Sequence, residues 1–203
     1  TWARRADAAA FAGNDDFTVF RNKATLNLNG NDGDDTFTVR AFAEEGSTDT
    51  NVSGDRDVDL IQYVLNARVN VNGGDGTDTV RIIGTEFADR FLVTKDGIFG
   101  AGLNVGYTNI EKLEVDGAEG DDEFYVLSTG LVVGGTPIDV SIYGGLGNDL
   151  FSIAGDSADV QAGTTKLKAA VQPHKVNLIQ GPLHVDGAGG KGSAGGLGTP
   201  VML

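Results

Sequence analysis

The residues with the clearest chemical potential in this chain of 203 residues are aspartates that recur after glycine-rich turns. A carboxylate beside glycine carbonyls is a set of hard oxygens, and Ca²⁺ takes about six to eight such oxygens at roughly 2.3–2.6 Å. Glycine lets the backbone turn its carbonyls inward without the clash of a Cβ atom. One turn has too few oxygens alone, so a calcium site would need two turns stacked on each other. Six aspartates align on this phrase: Asp15, Asp35, Asp78, Asp89, Asp122 and Asp149.

The phrase is complete in two segments, GGDGTDTV at 73–80 and GGLGNDLF at 144–151. Two further segments, GNDGDDTF at 30–37 and GAEGDDEF at 117–124, miss only the second glycine. These segments follow the nonapeptide pattern G-G-x-G-x-D-x-U-x, in which U is a large apolar residue. The chain therefore resembles the RTX-type (hemolysin-type) calcium-binding repeats of large secreted bacterial surface proteins, in a diverged form.

This resemblance implies a parallel β-roll in which turn carbonyls and the aspartate carboxylate coordinate Ca²⁺ while the apolar residue fills the core. By motif matching, the implied metal ligands are Asp35, Asp78, Asp122 and Asp149, with Asp32, Asp75, Asp34 and Asp121 as helpers. RTX repeats run in tandem, whereas the aligned aspartates here are 20, 43, 11, 33 and 27 residues apart. The spacing therefore predicts an irregular stack with insertions.

The elements that must position these turns are short strands. Residues on both sides of each turn alternate between apolar and polar, as in Arg68–Asn72 before one turn and Val80–Ile82 after it. Period-two alternation predicts strands with one buried face. The sequence predicts an all-β fold, favouring an irregular parallel β-helix or β-roll-like solenoid whose stacked corners hold the aspartates in one column. Antiparallel β-sandwich repeats are the alternative.

The distribution of charged residues divides the chain into two segments, and the net charge limits the kinds of binding partner. The net charge is −14, and residues 1–154 carry 26 of the 29 acidic side chains. We expect a Gly/Asp-rich β-repeat region over 1–154 and a diverged, Gly-rich cap or linker over 155–203. The negative field repels nucleic acid and anionic membranes and attracts cations. No apolar run approaches the roughly 20 residues of a membrane span. With no cysteine, a disulfide framework is excluded.

These observations predict a non-catalytic structural or adhesive module of an extracellular or cell-surface bacterial protein, stiffened by Ca²⁺ and able to form fibres. The expected partners are other copies, neighbouring repeats of a longer chain, or a surface glycan or protein. The chain does not start with Met, which suggests a processed form or a segment of something longer. The alternative is a carbohydrate-active β-helix enzyme, a polysaccharide lyase or epimerase. Its candidate residues, which no motif groups, are Arg81, Arg90, Lys95 and Tyr125.

Overall fold

A computed structural model describes residues 5–9, 12–45, 47, 62–132, 134–168, 171 and 174–187. Within these ranges the chain forms sixteen β-strands and one 3₁₀ turn, Val176–Leu178, and no α-helix. The fold is therefore all-β, as the alternating pattern predicts. The same part of the chain has no helix with the length and apolar character that crossing a membrane would require.

Most strands belong to two sheets, and the chain passes repeatedly from one sheet to the other. The first sheet contains, in spatial order, β1 (Arg5–Ala9), β3 (Thr25–Asp32), β5 (Val69–Asp75), β9 (Leu103–Thr108), β8 (Gly97–Gly100), β7 (Arg90–Thr94), β11 (Glu123–Val126) and β13 (Leu150–Ile153). The second contains β16 (Leu183–Asp186), β12 (Asp139–Tyr143), β10 (Lys112–Asp116), β6 (Thr79–Ile83), β4 (Thr36–Arg40) and β2 (Asp16–Val19).

The strand pairing is parallel throughout the second sheet. It is also parallel in the first sheet, except where β8 forms antiparallel pairs with β7 and β9. Parallel pairing brings equivalent positions of the repeated phrase side by side, so that Phe37 lies opposite Val80, which lies opposite Leu113. The pairing agrees with the parallel arrangement that the sequence favours and not with the antiparallel alternative.

The core lies between the two sheets. In β4, Phe37 and Val39 are buried while Thr36, Thr38 and Arg40 are partly exposed, which is the alternation predicted from the sequence. Phenylalanines stack along this core. Ring centroids are 5.6 Å apart for Phe91 and Phe124 and 5.1 Å apart for Phe124 and Phe151. Aromatic stacking of this kind adds about 0.5–1.5 kcal/mol to the burial of the rings.

Two segments leave the sheets, and the second of them packs on the outer face of the first sheet. The hairpin of β14 (Val160–Ala162) and β15 (Thr165–Leu167) buries Val160 against the outward-facing Leu92 and Tyr125. The segment between β4 and β5 forms a bridge from Ala43 to Tyr63. After the hairpin, β16 returns to the second sheet and pairs with β12. The division at residue 154 stays a prediction, and residues 188–203 lie outside the described part.

Candidate functional site

The six aligned aspartates each stand immediately before a strand, but they form two columns. Asp15, Asp35 and Asp78 lie where the chain passes from the first sheet to the second. Asp89, Asp122 and Asp149 lie where it passes from the second sheet to the first. Because all strands of the two sheets except β8 run in the direction of their sheet neighbours, these two kinds of turn lie at opposite ends of the strands. The prediction of a single column is therefore wrong.

Hydrogen bonds join the first column from turn to turn. The backbone N–H of Asp15 donates to Oδ1 of Asp35 at 2.8 Å, and the N–H of Asp35 donates to Oδ1 of Asp78 at 2.8 Å. The N–H of Asp78 donates to Oε2 of Glu111 at 2.7 Å. Glu111 thus occupies the place of the aspartate at a turn without the glycine phrase. Sequence reasoning missed it, although it lies just before a strand as the aspartates do.

The second column repeats the same contact. The N–H of Asp89 donates to Oδ1 of Asp122 at 2.7 Å, and the N–H of Asp122 donates to Oδ1 of Asp149 at 3.1 Å. The Asp89 carboxylate has different partners within its own turn, since it accepts hydrogen bonds from the N–H and the hydroxyl of Thr85 at 2.6 and 3.1 Å. In both columns one carboxylate oxygen therefore links consecutive turns.

The two columns explain the uneven spacing of the aspartates. Hydrogen-bonded neighbours are 20, 43 and 33 residues apart in the first column and 33 and 27 apart in the second. The remaining interval of 11 residues, from Asp78 to Asp89, is one crossing of the second sheet along β6. The short interval is thus a passage from one column to the other. Each longer interval is the number of residues that the chain uses before it returns to the same column.

The four predicted helper aspartates lie further out. Oδ1 of Asp34 accepts a hydrogen bond from the N–H of Thr77 at 2.8 Å, and Oδ1 of Asp121 accepts one from the N–H of Asn148 at 2.8 Å. Asp32 and Asp75 face each other in register on β3 and β5, and both are exposed. Asp34 in the first column and Asp121 in the second therefore each add an outer link between consecutive turns, while Asp32 and Asp75 form an acidic pair on the surface.

The second oxygen of the inner aspartates is the distinctive feature of the site. Oδ2 is buried and has no hydrogen-bond partner in Asp35, Asp78, Asp122 and Asp149, which are the four ligands that the repeat pattern singles out. Each of these oxygens lies against the first glycine of its own turn. A Cβ atom on Gly117 would clash with Oδ2 of Asp122 and with the Gly144 carbonyl of the next turn. The glycine is required because a carboxylate oxygen and a carbonyl oxygen occupy that space.

Burial changes the protonation of these carboxylates. It raises the pKa of Asp78 from 3.8 to about 6, and the negative charges of Asp35 and Glu111 add to this effect. Burial also raises the pKa of Asp149. Burial is also the main cause that raises the pKa values of Asp89 and Asp122, and the neighbouring Asp89 charge raises the pKa of Asp122 further. A buried carboxylate without a partner disfavours its charged form, so each of these sites favours a bound proton or a bound cation.

The residues fit a cation only if backbone oxygens complete its shell. Among the described residues, no group of three or more Asp, Glu, His or Cys side chains converges as a metal site. Three turns instead combine one free carboxylate oxygen with a carbonyl of the adjacent turn: Asp35 with Gly73, Asp78 with Asn109 and Asp122 with Gly144. Hard oxygens of both kinds suit Ca²⁺, which accepts carbonyls and water beside carboxylates.

The four residues of the enzyme alternative do not form one cluster. Arg81 pairs with Glu114 at 2.7 Å on the second sheet, and Lys95 pairs with Asp96 at the turn after β7. Arg90 and Tyr125 do meet, because both contact Oε2 of Glu123 at 2.7 Å on the outer face of the first sheet. Only two of the four candidates are therefore brought together.

A trough of about 670 Å³ runs over the outer face of β3, β5 and β9. Polar side chains that line the trough form hydrogen bonds with one another: Nδ2 of Asn70 donates to Oδ1 of Asn27 at 2.9 Å, and Nε of Arg68 donates to Oδ1 of Asn70 at 2.6 Å. These hydrogen bonds join neighbouring strands and already occupy several of the donors and acceptors that line the trough. They therefore contribute to the sheet rather than forming an open binding site.

Comparison with protein-family models, with curated proteins and with solved structures finds no match to this chain.

Proposed function

We propose that the chain is a non-catalytic structural module of an extracellular or cell-surface bacterial protein. Its two sheets would form an irregular parallel β-helix or β-roll-like solenoid, stabilised by Ca²⁺ at some of its turns. The passage of the chain between two parallel sheets supports this architecture, as do the turn-to-turn hydrogen bonds of both aspartate columns. In an architecture of this kind, stability comes mainly from contacts between neighbouring coils.

The observation that carries the calcium proposal is the set of buried Oδ2 atoms without hydrogen-bond partners in Asp35, Asp78, Asp122 and Asp149. An ionised carboxylate in this position is costly unless a positive charge compensates it. A calcium ion between two turns would bind the carboxylate oxygen of one turn and carbonyl oxygens of both, with water completing its shell. The net charge of −14 favours the accumulation of cations at these turns.

The module is proposed to work through association rather than catalysis. The strands β13 and β16 form the last edge of their sheets, and edge strands present unpaired backbone groups to a further strand. Another copy, or the neighbouring repeats of a longer chain, would continue the two sheets there and build a filament. A surface glycan or protein is the expected external partner of such an adhesin-like module, whereas nucleic acid is disfavoured by the negative charge.

Thermal unfolding in EGTA and in millimolar Ca²⁺ tests the calcium proposal. We expect Ca²⁺ to raise the Tm and an equal concentration of Mg²⁺ to raise it less, because a ligand that binds only the folded state stabilises it. In Asp78→Asn, Oδ1 is retained for the Asp35 N–H and the new amide can donate to the Asn109 carbonyl. This variant should be at least as stable in EGTA and lose part of the calcium response.

The exposed Asp16→Asn on β2 is the matched control and should keep the full calcium response. An unchanged wild-type Tm on adding Ca²⁺ would contradict calcium binding and leave a scaffold held by hydrogen-bonded turns. Equal calcium responses in both variants would contradict the assignment of Asp78.

A further inference from the structure

The two segments that leave the sheets converge on one region of the first sheet. On the first segment, the N–H of Glu44 donates to the Gln62 carbonyl at 2.6 Å. Both segments are anchored to the turn between β8 and β9: the Asn66 N–H donates to the Gly102 carbonyl at 3.1 Å, and the Gly102 N–H donates to the Gln161 carbonyl at 3.0 Å. Two insertions separated by about a hundred residues in the chain therefore stand side by side.

Between these segments lies a cleft of about 510 Å³. The first segment contributes Glu44, Gln62 and Leu65, the second contributes Asp159, Gln161 and Lys166, and the first sheet contributes Arg90. Small-molecule sites in proteins have volumes of roughly 300–1,000 Å³. Neither insertion is needed to continue the two sheets, so the cleft is an addition to the repeated architecture.

Arg90 is held in place before any ligand binds. Its Nε lies 2.7 Å from Oε2 of Glu123, and the hydroxyl of Tyr125 donates to the same oxygen at 2.7 Å. Its Nη1 lies 3.4 Å from the Asp159 carbonyl. The side chains of Arg90 and Glu123 are 24% and 12% exposed, and removing such an ion pair from water carries a large desolvation cost. The pair therefore positions a fixed guanidinium at the cleft without an evident gain in stability.

The charges of the cleft are balanced although the chain as a whole is strongly negative. Arg90 and Lys166 face the acidic Glu44 and Asp159. The ion-pair partners just outside the cleft keep the count even, because Glu123 pairs with Arg90 and Lys168 lies 2.9 Å from Asp159, closer than Lys166 at 3.6 Å. A balanced cleft in a protein of net charge −14 has no electrostatic preference for an anionic ligand. Donors beside acceptors suit groups that both donate and accept, and the hydroxyl is such a group.

The amides and the apolar residues complete the same pattern. Gln62 and Gln161 line the cleft from opposite segments. Nε2 of Gln161 donates to the Gly163 carbonyl at 2.7 Å, which orients this amide, while Gln62 offers both a donor and an acceptor. Leu65 is 45% exposed and lies beside the half-buried ring of Tyr63 at the cleft. An apolar surface next to paired polar groups matches a sugar ring, which has a C–H face and a rim of hydroxyls.

We propose that this cleft binds a neutral saccharide, the terminal or internal unit of an uncharged polysaccharide. The proposal deepens the adhesive part of the proposed function by naming its site and ligand class, and it rests on that function only in the choice of a glycan partner. It does not require calcium, because the residues that line the cleft include none of the four aspartates with an unpartnered Oδ2.

Affinity gel electrophoresis tests the proposal, with arabinoxylan, galactomannan, mixed-linkage glucan and dextran as neutral probes and polygalacturonate as the acidic one. At least one neutral polysaccharide should retard the wild type. Glu44→Gln and Lys166→Ala should each weaken that binding at least fivefold. The matched controls are Glu45→Gln, next to the cleft, and Lys112→Ala, exposed on the second sheet; both should stay within twofold of wild type.

Three results would overturn the proposal: no retardation by any of the four neutral probes, retardation by polygalacturonate alone, or equal weakening in the cleft and control variants. Each gel is run in EGTA and in Ca²⁺, after circular dichroism has confirmed that each variant is folded. Loss of saccharide binding then counts against the cleft, whereas an unchanged Tm on adding Ca²⁺ counts against the calcium turns only.

Discussion

The two oxygens of each inner aspartate have separate roles. Oδ1 of Asp78 accepts the N–H of Asp35 from the preceding turn, which satisfies a buried backbone donor. Oδ2 of the same residue faces glycine and a carbonyl oxygen, where only a proton or a cation can satisfy it. An asparagine would keep the first role, because its Oδ1 can still accept the Asp35 N–H, but it would lose the second, because an amide nitrogen cannot bind a cation as a carboxylate oxygen does.

The first glycine of each turn can be tested by adding a methyl group. Gly117→Ala places a Cβ atom against Oδ2 of Asp122 and the Gly144 carbonyl, with no positive φ to complicate the result. We expect a loss of about 1–3 kcal/mol in unfolding free energy, the usual range for overpacking. Urea denaturation measures it. Gly187→Ala, whose Cβ would meet only Cε2 of Phe151 at 3.4 Å, should change stability by less than about 0.5 kcal/mol. Equal effects would contradict the steric explanation.

The pH dependence of stability follows from the raised pKa values. In EGTA the folded state holds protons that the unfolded chain has lost, because burial raises the pKa of Asp78 from 3.8 to about 6. That contribution is complete below about pH 4 and is lost as the pH rises through about 6; the raised pKa values of Asp89 and Asp122 act in the same direction. Calorimetry should show a Tm that falls from pH 5 to 8 in EGTA.

Calcium should reverse this trend, since it binds the deprotonated carboxylates and its affinity rises with pH. The increase in Tm on adding Ca²⁺ should therefore be larger at pH 8 than at pH 5. In EGTA, the Tm of Asp78→Asn should fall less steeply with rising pH than the Tm of the wild type. A Tm that rises with pH in EGTA would show that the buried carboxylates do not control stability in this range.

At the scale of elements, parallel pairing turns sequence repetition into continuous columns. The strands β7, β11 and β13 place Phe91, Phe124 and Phe151 in one stack, and the turns before these strands place their aspartates in another. A residue in the middle of such a column has a neighbour on each side. The energetic effect of a substitution should therefore depend on its place in the column as well as on its own burial.

Phe124→Ala tests this arrangement. Phe124 is fully buried and stacks on phenylalanine on both sides. Its truncation should lower the unfolding free energy by about 3–5 kcal/mol, the range for buried aromatic residues. Phe20→Ala, at a site that is 48% exposed, should cost less than about 1 kcal/mol. Urea unfolding curves provide both values, and similar losses at the two sites would contradict a core built on the stack.

At the scale of the whole molecule, the two sheets end in strands that have a neighbour on one side only within the described part of the chain. In β16, Val185 lies opposite the fully buried Ile142 of β12, yet it is 43% exposed because no further strand of the described residues covers it. A further coil would bury this residue together with the edges of β13 and β16. The open edges of β13 and β16 therefore allow the stack to be extended and also leave apolar surface exposed at its end.

Val185→Glu tests end-to-end association. Sedimentation velocity over a range of concentrations should show association in the wild type and a loss of it in this variant, because a charge at the end of the core opposes its burial. Leu131→Glu is the control, since Leu131 is 46% exposed but lies in the connection between β11 and β12. A monomeric wild type at all concentrations, or equal effects of the two substitutions, would contradict association through this end.

Local patterns in the sequence were sufficient for the all-β class, for the strands beside each turn and for the glycine–aspartate chemistry. The alternation of Phe37 and Val39 with polar neighbours is visible in four residues, and a glycine followed by a carboxylate is recognisable wherever it stands. These properties depend on neighbours in the chain, so no knowledge of distant contacts is needed to predict them.

Only the tertiary structure decided which turns meet. It separated the aspartates into two columns, brought Glu111 beneath Asp78 and placed Glu44 across a cleft from Lys166. The interval from Asp78 to Asp89 looks like a short repeat in the sequence and is a crossing between opposite edges of the sheets. Contacts between residues 33 or 43 positions apart depend on the path that the whole chain takes between the two sheets. Insertions of unequal length conceal that path from a local pattern.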